Sequence, residues 1–150
     1  MYRAFQFKHK IDNIFEITKG VSDDETKAAL SKYLCVLVSG YLELNLREII
    51  LEYADTKSSP TIQNFIEFSI QGITNLKSGK IVESLNKFNS EWGKQFEAVI
   101  SDEQKDAINA IVANRNNIAH GKDVGISFVR IKGYYERTQE VVKLIEGIVK

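Results

Sequence analysis

Apolar side chains recur mostly every third and fourth position along this chain, and a single proline interrupts its 150 residues. That spacing predicts helices throughout rather than strands. Phe7, Ile11, Ile14, Phe15 and Thr18 outline a first amphipathic helix that stops at Gly20. Ser22 and Glu25 then have the spacing of a reciprocal N-terminal cap, opening a long helix expected to run to Ala54. The middle of that helix is apolar on two sides. Leu37, Tyr41, Leu44 and Leu51 project one way, and Leu42, Leu46, Ile49 and Tyr53 nearly opposite. A helix with two apolar faces is wedged between neighbours, or is shared between a bundle core and another subunit.

The segment from Asp55 to Ser59 reads as a loop, with Ser59 as an N-cap and Pro60 in the first turn of the next helix. Gly72, Gly79 and the stretch Asn89-Ser90-Glu91-Trp92-Gly93 predict several short helices in series through the middle third. Ser101 with Gln104 is a second reciprocal cap. It opens a helix whose apolar stripe is Ile108, Ile111 and Val112. After a short loop from Gly121 to Gly125, Ser127 caps a last helix that carries Ile131, Tyr135, Val142 and Ile145 toward the C-terminus. The expectation is one all-α domain over residues 1–150, a bundle of four or more helices with no repeats, low-complexity stretches or disordered tail.

Composition narrows the functional classes. Twenty basic and twenty acidic residues cancel, so no global field draws in nucleic acid, and any RNA contact has to come from a local patch. The lone Cys35 lies in the apolar run from Tyr33 to Val38 and reads as a small buried thiol. One cysteine excludes an intrachain disulfide. No thiolate cluster is available for zinc, and His9 has no ligand spacing to His120, so neither a metal nor another cofactor is expected. The apolar runs fall far short of the roughly 18 residues of a membrane-spanning helix. Arg3, Lys8 and Lys10 are not followed by the apolar core of a secretion signal. A cytoplasmic protein without a membrane partner is the simplest expectation.

The chemistry concentrates in Arg115-Asn116-Asn117-Ile118-Ala119-His120-Gly121. At about 100° per residue, Arg115 projects close to the centre of the stripe formed by Ile108, Ile111 and Val112. A guanidinium there needs a carboxylate, an anionic ligand or a wet interface to receive it. Asn116 and His120, four apart, share a face at the edge of the stripe, so the arginine and the histidine converge. The same residues also fit a plain C-terminal cap, with basic side chains near the last carbonyls and glycine at a position of positive φ.

Arginine, four intervening residues and histidine, with a polar residue after the arginine, a following glycine and a helix on either side, resemble the signature of the HEPN superfamily (higher eukaryotes and prokaryotes nucleotide-binding domain). The likeness is clearest from Ser101 to the end of the chain; the first hundred residues agree only in being helical. It looks most like the stand-alone groups typified by the RiboL-PSP and MAE_28990 HEPN domains, and the motif does not choose between them. The resemblance implies an all-α bundle that forms a two-fold homodimer with the two motifs facing each other. It also implies a metal-independent endoribonuclease of the kind common in toxin-antitoxin and antiphage systems, with an antitoxin or defence protein as a possible partner. Arg115 and His120 match the two defining positions and Asn116 the polar one. Related toxins controlled by adenylylation carry a tyrosine two residues after the histidine; here that position is Lys122, which argues against that control.

Cleavage without metal needs a base for the ribose 2′-OH, an acid for the leaving 5′-oxygen and a cation for the phosphate. Histidine as a residue type serves either proton role near neutrality, and an arginine fork matches phosphate oxygens. Asn116 is expected to orient the imidazole or to bond the ribose. Glu43, in the two-faced helix, is a candidate partner for Arg115, or else forms a surface ion pair with Arg47 four residues on. Lys122 is either a further phosphate contact or a solvated loop lysine. Trp92, Tyr134 and Tyr135 have the chemistry to stack on bases, but their helical spacing favours packing. The alternative to a nuclease is a non-catalytic HEPN-like module that binds RNA, a nucleotide or a protein.

Overall fold

The computed structural model describes the backbone of residues 2–150 and the side chains of residues 3–150. Among these, seven α-helices and no strand are present: α1 (Tyr2–Lys19), α2 (Asp24–Lys57), α3 (Pro60–Ile70), α4 (Ser78–Asn86), α5 (Ser90–Val99), α6 (Asp102–Ala119) and α7 (Phe128–Ile148). The three short middle helices and the capped α6 and α7 lie where the hydrophobic spacing predicts them. Ser101 and Gln104 close the expected reciprocal cap on α6, and the Ser127 hydroxyl accepts from the Arg130 N–H at the start of α7.

Two helix ends differ from expectation. The cap of α2 is Asp23, not Ser22: its carboxylate accepts from the Thr26 N–H at 2.9 Å, so the reciprocal cap with Glu25 does not form. An aspartate one position later competes well for the same orphan amides, being charged and at a helix N-terminus. At its other end α2 runs through Lys57, where the Ser58 amide and hydroxyl both donate to the Ala54 carbonyl, at 3.0 and 2.8 Å. The loop before α3 is correspondingly shorter than expected, and Ser59 occupies the N-cap position of α3 without a side-chain cap bond.

At 34 residues, α2 is about 50 Å long at 1.5 Å rise per residue, and it is the axis of the bundle. It packs against α1, α3, α6 and α7, which is what its two apolar faces require. Leu34, Leu42, Leu46 and Ile50 on α2, Ile108 and Ile111 on α6 and Ile131 on α7 are almost wholly buried. Each such side chain contributes roughly 1.5–3 kcal/mol on leaving water. The aromatic residues are committed to this packing. Tyr135 stacks on Phe15 with centroids 5.1 Å apart, and its hydroxyl donates to Asp12 at 2.8 Å. Trp92 meets Tyr53 edge-on at 5.0 Å. Gly93 beside it lets α5 approach α4 closely: a Cβ there would overlap the Asn86 side-chain amide, which would have to move.

Candidate active site

The motif occupies the last turn of α6, and the backbone there explains the glycine. His120 is the final residue before the chain reverses, with φ −92° and ψ 11°, and its N–H donates to the Asn116 carbonyl at 3.1 Å. Gly121 follows at φ +71°. Its N–H donates to the Ile118 carbonyl at 3.1 Å, and the Lys122 N–H reaches back to the Asn117 carbonyl at 2.9 Å. This pair of bonds closes a left-handed C-terminal cap, which glycine adopts without steric cost. The capping reading is therefore correct for the backbone. It leaves the side chains of Arg115 and His120 unaccounted for.

The imidazole of His120 is exposed, and among the described residues it makes no hydrogen bond and no ion pair. Arg115 is half-buried. Its Nη1 donates to the neighbouring Asn116 Oδ1 at 3.3 Å, its one hydrogen bond among the described residues. Asn116 thus holds the arginine through its side chain and the helix end through its carbonyl; among the described residues the amide makes no bond to the imidazole, which it was expected to orient. Lys122 is exposed, one residue past the cap.

Glu43 is not a surface residue. At 7% exposure it is buried on α2, so the reading as a solvated ion pair with Arg47 fails. Burial pushes its carboxyl above the usual carboxylate range, while the charges of Arg47 and, to a smaller extent, Arg115 pull it back down. The structure therefore brings Glu43 within electrostatic reach of Arg115, without a direct salt bridge between them. Arg47, which the sequence offers only as a surface partner of Glu43, acts here on a buried carboxylate. The signal was its i, i+4 spacing to Glu43, which by itself cannot distinguish a wet helix face from the edge of a site. Trp92 and Tyr135 lie in the core and Tyr134 is half-buried, its hydroxyl 3.4 Å from Arg130 Nη1.

Cys35, also on α2, is fully buried, with its thiol 3.6 Å from the Ile111 carbonyl. Burial raises its pKa to about 11, so it has no part in nucleophilic chemistry. Among the described residues no helix is long and apolar enough to cross a membrane.

A helical bundle with arginine and histidine at the end of its penultimate helix is the arrangement of a HEPN-type domain. A family model described as RiboL-PSP-HEPN matches residues 5–150, and the chain belongs to that family. The match distinguishes between the two stand-alone groups that the motif alone leaves open. No curated protein and no solved structure matches the chain.

Proposed function

We propose that this protein is an endoribonuclease of HEPN type, working without a metal ion, whose active site is assembled from two copies of the chain. One observation carries the reading: an exposed, unpartnered imidazole at His120 sits on the same helix end as Arg115, a half-buried guanidinium bonded only to a neutral amide. A positive charge held without a carboxylate contact beside a free proton carrier is suited to an anionic substrate.

In this mechanism the RNA 2′-oxygen forms a bond to its own phosphorus and the bond from phosphorus to the 5′-oxygen breaks. One histidine takes the 2′-proton and another donates a proton to the departing 5′-oxygen. Each transfer contributes on the order of 10²- to 10⁴-fold. A single chain offers one histidine in the motif, so acid and base together require the His120 of each of two copies, placed across a two-fold axis. Arg115 holds the phosphate oxygens as charge develops on them. Glu43 acts electrostatically on Arg115, Asn116 holds its fork, and Lys122, exposed just past the cap, supplies a further phosphate contact. The products are a 2′,3′-cyclic phosphate and a 5′-hydroxyl, and DNA is not a substrate because it lacks the nucleophile. A role as a toxin or antiphage effector, held in check by a partner protein in the cytoplasm, accords with the family.

The balanced charge of the chain favours a second reading, since nucleic-acid enzymes usually carry a net basic surface. In that reading the module binds RNA, a nucleotide or a protein without cutting. Purified protein incubated with total RNA in EDTA, beside the His120→Ala variant, separates the two. Cleavage by the parent and none by the variant supports the nuclease. Binding without cleavage under every condition tried transfers the case to the non-catalytic module. Light scattering that shows only monomer at micromolar concentration overturns the composite site.

A further inference from the structure

A second guanidinium, which like Arg115 acts electrostatically on Glu43, has no part in the mechanism above. Arg47 lies one helical turn beyond Glu43 on α2 and is half-buried; its Nη1 donates to the Gln71 carbonyl at the end of α3, at 3.4 Å. Among the described residues it forms no ion pair with a carboxylate. On its outer side it lines a cavity of about 400 Å³ between α1, α2 and the end of α3, a volume within the roughly 300–1,000 Å³ of ligand sites. Arg3 of α1, exposed and likewise without an ion pair among the described residues, lines the same cavity. The floor is apolar, from Leu44, Leu51 and Ile70.

Two carboxylates also border this space. Glu48 is turned to the backbone of α1, where it accepts from the Ala4 N–H at 3.2 Å. Glu67 is exposed on the α3 wall and repels a phosphate set against it, which leaves the Arg3 and Arg47 side as the place for an anion. Both guanidinium groups stay protonated and present planar forks that fit phosphate oxygens. The buried Glu43 carboxyl, one turn before Arg47 on α2, is within electrostatic reach of both Arg47 and Arg115.

We propose that Arg47 and Arg3 form a second phosphate subsite, which holds a backbone phosphate of the RNA bound at Arg115 and His120, away from the scissile one. The inference rests on the RNA-directed reading of the motif. It assigns the α1–α2–α3 cavity to the strand that flanks the scissile bond, an extended single strand following an electrostatic track rather than a base-reading pocket.

The test uses the full chain carrying His120→Ala, so that a 5′-fluorescein-labelled ten-nucleotide RNA stays intact, and measures its fluorescence anisotropy across a salt series. Arg47→Gln removes the charge but retains a side-chain donor for the Gln71 carbonyl. The expected result is roughly tenfold or greater weakening at low salt, the size of one charge-assisted hydrogen bond. The salt slope should fall by about 0.7, as one phosphate contact on a single strand is lost. In the cleaving protein the same change raises KM and leaves kcat within about twofold, the pattern of lost substrate binding. Arg3→Gln, at an exposed position, shows a smaller loss of the same kind and carries the test if the Arg47 variant melts at a markedly lower temperature. Unchanged affinity and slope in either variant, while the His120→Ala protein still binds RNA, overturns the subsite and leaves the nuclease reading standing. A parent protein that neither binds nor cuts RNA overturns both.

Discussion

Gly121→Ala tests the helix end on which the motif rests. Gly121 sits at φ +71°, and a Cβ placed there meets no heavy atom within 4 Å. The cost of the substitution is therefore one of backbone conformation alone. For a residue with a Cβ, the left-handed region costs roughly 1–2 kcal/mol. Part of that is offset because alanine restricts the unfolded chain by about 0.4–1 kcal/mol. A net destabilisation of about 1 kcal/mol lowers the melting temperature of a domain this size by roughly 2–4 °C. Gly121→Asn should melt nearer the parent than Gly121→Ala, since asparagine tolerates positive φ. Gly125→Ala provides the control within the same loop: it too is open to solvent, but its φ is not positive, so its melting temperature should stay within about a degree of the parent. Thermal melts followed by circular dichroism at 222 nm read all three. If Gly121→Ala melts with the parent, or if the alanine and asparagine variants drop equally, the left-handed cap is not what ends α6. The placement of His120 argued from it then fails as well.

Three further outcomes are expected. Glu43→Gln should be at least as stable as the parent at pH 7 while cleaving RNA more slowly. The folded protein raises this carboxyl, so its ionised form carries a penalty that appears as pH rises above the usual carboxylate value of 4.5 and is absent below it. Melts from pH 3 to pH 8 should therefore show the advantage of glutamine vanishing at the acid end, and an advantage that grows there refutes the reasoning. Asp23→Ala should lower the melting temperature and Ser22→Ala leave it unchanged, which decides between the two caps of α2. The Asp23 carboxyl is held below its ordinary value by its bonds to Thr26, so its contribution is present above pH 3.8 and lost as pH falls further. Cys35, its pKa raised to about 11, should resist iodoacetamide at pH 8 in the native protein and react promptly in urea; mass spectrometry of the alkylated chain measures both.

Much of the architecture was legible because its signals are local. Helix periodicity, the reciprocal cap of Ser101 and Gln104, the cap at Ser127 and the glycine that ends α6 each involve residues within a turn or two of one another. The backbone satisfies them by the same rules wherever the helix lies. The two apolar faces of α2 likewise announced a central helix, since each needed a neighbour to bury it. The choice of Asp23 over Ser22 was harder, because both residues can cap and the difference between them is a matter of one register step.

The positions of residues distant in the chain were decided only by packing. Nothing in the sequence says whether Glu43 faces water or a neighbouring helix, since its i, i+4 spacing to Arg47 is the same in both cases. Packing of the bundle buries the carboxyl, within electrostatic reach of Arg115 on α6. Docking of α1 and of the end of α3 on α2 gives Arg47 and Arg3 a common cavity. The sequence by itself determined an all-helical chain of four or more helices, a capped arginine-histidine turn and the likeness to the superfamily to which they belong. Tertiary structure decided which charges meet, because an ion's environment depends on which surfaces leave water together, and that is a property of helix packing rather than of any one helix.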